Sequence, residues 1–403
     1  MLIDRLINPV KRHNECDRKV GSDLINLYEV SRQNLPLSKQ FVEEFLRLIG
    51  ESSFILRKEV FDFESQVKKY LNSQSQVIGV NSGTDALFLA LQYSQIGFGN
   101  EVLVPSRTYI ASVSAIVHTK SIPVFVDIKD DLSLDLDDLE SKITDKTRAI
   151  MAVHLSGHAC NMTRLIQIAQ RYNLVVIEDA APALGSKFDG TCVGTFGDFG
   201  IISLHPLKSL SVLGDGGLLL AKNIDLADKI RVFRDHGHPQ PKMEENYSEF
   251  GINSRLDNFQ AAIASIKLKH FDSWIRRRRE IAKRYSQALL STAITNQAQR
   301  YLENLNQASR YFDTFNSFIL SVEHPDSLKK FMSEGPNPVE VQSVYQRPIH
   351  NHPNLIPHLG QKDPVVLPKT EYFARRTVSI PIYPELTDSE VEIICDKLHR
   401  YKY

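Results

Sequence analysis

The sequence predicts an α/β fold: a large domain built on a mostly parallel, seven-stranded sheet, followed by a smaller α+β domain at the C-terminus. Three observations carry this. Short apolar runs recur seven times, at residues 77–80, 102–104, 123–128, 149–155, 174–177, 201–204 and 218–221. Stretches with helical spacing separate most of them, as βαβ units require, and the runs are apolar throughout, as strands covered on both faces are. A further set of strand-like runs, at 315–322, 339–345 and 378–382, appears only after a long helical pattern.

In chain order, residues 1–24 are polar and carry no motif, and residues 1–34 read as an N-terminal extension. Apolar residues then recur at helical spacing (Phe41, Phe45, Leu46, Ile49; Val60, Phe63, Val67, Leu71), which predicts two amphipathic helices ahead of the sheet. The large domain is expected to span 35–256. From Asp257 to about Leu290 one helical pattern runs without Pro or Gly and opens the second unit, 257–403. Thr387-Asp388-Ser389-Glu390 has the form of a capping box opening the last helix.

Composition removes several classes of function. Lys plus Arg is 48 and Asp plus Glu is 48, so the chain lacks the basic footprint of a nucleic-acid binder. The run Arg276-Arg277-Arg278-Arg279 reads as a solvated helix face or a partner contact. Four scattered cysteines without a CxxC pair argue against a zinc site or a disulfide framework and fit a reducing compartment. No window approaches the ~18 apolar residues of a membrane span, and the charged N-terminus lacks a signal peptide's apolar segment. The expectation is a cytoplasmic protein without nucleic-acid or membrane partners.

The chemistry concentrates at strand ends. Asp179 closes the fifth apolar run, at the carboxyl edge where open α/β sheets hold ligands. Lys208 follows the sixth and the helix-hostile His205-Pro206, which places it on an irregular turn. A carboxylate and an amine on successive strand ends suit a cofactor needing a counter-charge and a covalent tether, because a neutral lysine amine forms a Schiff base with an aldehyde. Asn81-Ser82-Gly83-Thr84 joins a strand to a helix, so unpaired amides, a glycine and a hydroxyl can cradle a phosphate. Tyr109, after another strand, can stack on a planar ring. His154 and His158 straddle a strand end and a glycine, which disfavours a metal site. Glu178, next to Asp179 on the same strand, points to the other side of the backbone and reads as structural.

These motifs, with Val153-His154-Leu155, Glu178-Asp179-Ala180-Ala181, Ser203-Leu204-His205-Pro206-Leu207-Lys208, Gly214-Asp215-Gly216-Gly217, Gly251-Ile252-Asn253-Ser254-Arg255 and the closing Ile380-Pro381-Ile382-Tyr383-Pro384, stand in one order and spacing. In that register the chain, from about residue 35 to its end, resembles the DegT/DnrJ/EryC1/StrS sugar aminotransferases. The resemblance implies a fold-type I, pyridoxal 5'-phosphate (PLP)-dependent aminotransferase, working as a homodimer and passing through the pyridoxamine form (PMP). Lys208 would tether the cofactor and shuttle a proton, Asp179 would pair with its ring nitrogen, and Tyr109 would stack on it. Gly83, Thr84 and Ser203 would hold its phosphate, with Asn253 reaching in from the partner subunit. His158 and His350 would lie near the substrate. The implied reaction moves an amino group from glutamate or glutamine to a nucleotide-linked keto sugar. A keto-cyclitol acceptor, a sugar dehydratase (whose relatives carry histidine in place of the lysine) and a non-catalytic regulatory homologue remain alternatives. Departures from the family pattern are Pro182 where Gln or His is usual, His158 for Gln, Ser156 for Tyr and Ser209 for Asn.

Overall fold

A computed structural model describes residues 24–239, 246–290, 292, 294, 310–359 and 365–402; the expectation for residues 1–23 lies outside them. All seven apolar runs form strands of one sheet: β1 (Gln76–Val80), β2 (Glu101–Pro105), β3 (Ile122–Val126), β4 (Thr147–Val153), β5 (Val175–Asp179), β6 (Phe199–Ser203) and β7 (Gly217–Ala221). Their spatial order is β1-β7-β6-β5-β4-β2-β3. Only β7 runs against the rest, paired antiparallel with both β1 and β6. The carboxyl ends of β1, β2, β4, β5 and β6 therefore share one edge of the sheet.

The strands are apolar throughout because both faces are covered. Ile78, Val104, Met151, Ile177 and Leu219 pack under one helical layer, while Leu103, Val126, Ile150 and Val176 pack under the other. The two expected early helices form as α1 (Ser38–Glu51) and α2 (Lys58–Tyr70). Val60, Phe63 and Val67 of α2 are fully buried against Val77, Ile202 and Leu218 of the sheet. At β1's carboxyl end the chain turns into α3 (Gly83–Tyr93), and at β2's into α4 (Ile110–His118).

Two expectations are corrected. The long pattern from Asp257 is two helices, α5 (Asn258–Leu268) and α6 (Phe271–Leu289). The break comes without Pro or Gly; α5 buries Ala261 and Ala264 against the large sheet, and α6 begins in that same core with Phe271 and Ile275 before carrying Ile281 and Tyr285 into the core of the smaller unit. The arginine run on α6 is not a solvated face. Arg278 is buried and donates to the carbonyls of Phe315 (3.1 Å) and Ile382 (2.6 Å). Arg277 donates to Leu386 O and Asp388, and Arg279 donates to Asp313 O while lying over the Phe312 ring. Of the four, only Arg276 is exposed.

The smaller sheet consists of β8 (Phe318–Ser321), β9 (Gln342–Ser343) and β10 (Thr377–Ile380), in the order β8-β10-β9. These are shorter than the apolar runs, since Phe315 and Tyr345 take positive φ (51° and 53°) and interrupt extended backbone. The last helix, α7 (Asp388–Arg400), opens with the expected reciprocal box between Thr387 and Glu390. Ile25 bridges to Val339 and belongs to this core, so the start of the described chain is built into the smaller unit.

Candidate active site

The strand ends deliver the site. Asp179, the last residue of β5, is 5 % exposed. Its Oδ2 accepts the Ser112 hydroxyl at 2.7 Å and its Oδ1 accepts the Ala181 amide at 3.2 Å. Lys208 sits beyond β6 on a turn, its amide donating to His205 O at 2.8 Å. The loop is closed at its neck by Val212 N donating to Leu204 O (2.9 Å). Burial pushes the Lys208 amine below the ordinary lysine range, opposed by the negative charge of Asp179; the shift favours the neutral, nucleophilic amine.

The β1–α3 turn forms the third part. Ser82 caps α3, its Oγ accepting the Asp85 amide (3.1 Å), and this leaves the earlier amides of the first turn unspent. Gly83 is buried at the first helical position, where a Cβ would stand 3.0 Å from Ser203 Cβ. The cradle between Gly83 and Ser203 is thus kept open by the missing side chain. Thr84 is exposed beside it. Asn253 is exposed too, while its neighbour Ser254 is buried and donates to Asp85 (2.6 Å). Tyr109 is 65 % exposed at the head of α4.

The two histidines are each held by side chains of other segments. His158 is buried and donates from Nδ1 to Asp313 Oδ1 (2.8 Å), its ring stacked on Tyr311. The His350 side chain is shut from solvent in a tight turn. It lies between Ser106 Oγ (2.7 Å) and Glu371 (3.3 Å), and burial lowers its pKa, which keeps the ring neutral. Both join loops to one another. Glu178 faces the opposite side of β5 from Asp179: its carboxylate accepts the amides of Gly194, Phe196 and Gly197 and the Nε2–H of His154. Because His154 Nδ1 accepts the Cys160 amide, the ring is the neutral Nε2–H tautomer. Sequence reasoning missed Ser112, Asp313 and Asn316. For Ser112 a signal existed, since it lies four residues past Thr108 and so returns to the same side as that residue once a helix starts there.

A buried carboxylate, a half-buried lysine of lowered pKa and an open amide cradle at one carboxyl edge of a seven-stranded α/β sheet suit an enzyme with a tethered aldehyde cofactor. The chain belongs to the DegT/DnrJ/EryC1/StrS aminotransferase family, whose model matches residues 37–399. It is 35 % identical over 382 residues to a dTDP-3-amino-3,6-dideoxy-alpha-D-galactopyranose transaminase of Aneurinibacillus thermoaerophilus (94 % of this chain, 100 % of that one). It is 34 % identical to a pleiotropic regulatory protein of Geobacillus stearothermophilus (91 % and 97 %). Among solved structures it matches S. venezuelae DesV in complex with a ketimine intermediate, with a TM-score of 0.85 and 31 % identity over 93 % of this chain and 97 % of that one. Aminotransferases of this family depend on pyridoxal phosphate. Among the described residues no helix is long and apolar enough to cross a membrane.

Proposed function

We propose that this chain transfers an amino group from glutamate or glutamine to a nucleotide-linked keto sugar, with pyridoxal phosphate held at the β1, β5 and β6 ends. The observation that carries the reading is a half-buried Lys208 on the turn after β6, within the electrostatic reach of a buried, hydrogen-bonded Asp179 at the end of neighbouring β5. The named transaminase and DesV relatives support the substrate class. When bound, the cofactor supplies an aldehyde and an electron-accepting ring.

The residues of this chain do the rest. Lys208 Nζ, its pKa lowered by burial, would be the tether and then the base that moves a proton at the substrate carbon. Asp179 would hold the ring nitrogen's proton in place by charge. The amides of the first turn of α3, with Thr84 and Ser203 hydroxyls, would bind the phosphate, and Tyr109 would cover the ring. A homodimer would bring Asn253 of each protomer to the partner's phosphate; its exposure, beside a Ser254 anchored on Asp85, supports this. Pro182, directly after the Ala181 amide that binds Asp179, offers no donor where relatives have one.

The test is an absorption spectrum of purified protein with added pyridoxal phosphate, then glutamate, for wild type and Lys208→Ala. A visible band that glutamate bleaches, absent or altered in the variant, supports the reading. A wild type that takes up no pyridoxal phosphate overturns it, and leaves a regulatory role as the one to pursue.

A further inference from the structure

Asp179 is held by a chain of hydroxyls that the reaction scheme does not use. Ser112 Oγ lies 2.7 Å from Asp179 Oδ2, and Thr108 Oγ1 lies 2.9 Å from Ser112 Oγ. All three are enclosed: Ser112 is 0 %, Thr108 4 % and Asp179 5 % exposed. Proton counting fixes the direction. A carboxylate only accepts, so the single hydroxyl proton of Ser112 goes to Asp179, and Thr108 must then donate to Ser112. Two hydroxyl dipoles therefore align head to tail onto one carboxylate oxygen, each polarising the next.

This is not how serines on helices in this chain usually satisfy themselves. Ser94 and Ser286 turn back to the carbonyls one turn earlier, at Ala90 (2.6 Å) and Ala282 (2.8 Å). Ser112, in the first turn of α4, instead reaches from the β2–α4 unit to the end of β5, with β4 lying between the two strands. The other carboxylate oxygen is taken by the Ala181 amide at 3.2 Å. With one donor on each oxygen, the carboxylate plane cannot rotate without losing a bond, and each oxygen keeps a lone pair for a third donor.

We propose that Ser112, backed by Thr108, is a positioning residue for Asp179: it fixes the orientation of the carboxylate and stabilises its charge, so that Asp179 meets the protonated ring nitrogen of the cofactor. The proposal rests on the pyridoxal-phosphate reading above.

The experiment titrates cofactor-free, full-length protein with pyridoxal phosphate by absorbance and follows the spectral change on adding glutamate. It compares wild type, Ser112→Ala, Asp179→Asn, the double variant and Thr108→Val, with thermal unfolding of each. Loss of a charge-assisted bond should weaken pyridoxal-phosphate binding about ten-fold or more in Ser112→Ala and slow the glutamate step. In the Asp179→Asn background the same change should have no further effect, because Ser112 acts through that carboxylate. Thr108→Val should shift both readouts in the same direction by less.

Unchanged affinity and glutamate rate in Ser112→Ala overturns the proposal. So does a lowered unfolding temperature with unchanged affinity, which would make the serine a packing residue only. If Ser112→Ala does not fold, Thr108→Val with wild-type affinity and rate overturns it. A wild type that binds no pyridoxal phosphate removes the reading on which the proposal stands. Binding by wild type with no loss in either variant defeats the proposal alone.

Discussion

Ser209, the residue after Lys208, donates its hydroxyl to Asn316 Oδ1 at 3.0 Å, so the loop carrying Lys208 is tied to the segment that enters the smaller unit. That segment lies along the β4 loop: Asn316 N donates to Ser156 O (3.0 Å) and Thr314 N to Gly157 O (3.2 Å). Gly157, at φ 87°, would meet Thr314 Oγ1 at 2.7 Å if it carried a Cβ.

The Ser209–Asn316 bond is buried and neutral, and such bonds contribute about 1 kcal/mol. A double-mutant cycle of Ser209→Ala and Asn316→Ala in urea unfolding should therefore return a coupling energy of about that size. Strict additivity would show that the contact contributes nothing.

Glu178→Gln replaces a carboxylate that accepts three backbone amides and a histidine N–H with an amide that must turn one NH₂ toward donors. The expected loss is about 3 kcal/mol or more, given about 1.5–3 kcal/mol for each bond to a charged group. It should appear as a lower urea midpoint with an unchanged slope.

Gly83→Ala should separate binding from stability. Alanine is the better helix former by about 1 kcal/mol, so the unfolding temperature should hold or rise. The new methyl, 3.0 Å from Ser203 Cβ, narrows the cradle. Pyridoxal-phosphate affinity, measured by absorbance titration, should fall; equal affinity would place the phosphate elsewhere.

Lys267 is fully buried on α5, its amine donating to Ser211 at 3.0 Å, and burial lowers its pKa from 10.5 to about 8. Because the folded value lies below the unfolded one, the unfolded chain takes up this proton first as pH falls through the window between them. Wild type should lose stability relative to Lys267→Met from pH 10.5 down to about 8, and the difference should be flat below. Urea unfolding of both proteins across that range checks it; a difference independent of pH would show the amine is not desolvated.

Most of the fold was legible because buried parallel strands announce themselves as unbroken apolar runs, and each of the seven fell on a strand. The limits came where tertiary demands exceed local pattern. Nothing local to Lys269-His270 says that a helix must break there. Four consecutive arginines look solvated until Phe315 and Ile382 present carbonyls to one of them. In the site, Asp179, Gly83 and Lys208 could be read as strand-end residues. The partners Asp313 and Asn316 could not, since each pairs across a long stretch of chain and carries no motif of its own, while Ser112 left only its helical spacing from Thr108. Nothing local to His350 shows that Ser106 and Glu371 enclose it.

The antiparallel seam between β1 and β7 has a consequence for how the molecule comes into being. Val80 pairs with Gly217, and Gly217 lies so close to the Ser82 carbonyl that a Cβ there would meet it at 2.5 Å. The first strand to leave the ribosome therefore waits at an open sheet edge until the last strand of the same sheet has been synthesised. Pairing over such sequence separation is slow, and an unpaired apolar edge invites other chains. Since that seam also closes the turn holding Gly83, the turn proposed to take the phosphate reaches its final shape only after the sheet is complete, and early addition of pyridoxal phosphate should not speed the first steps of folding.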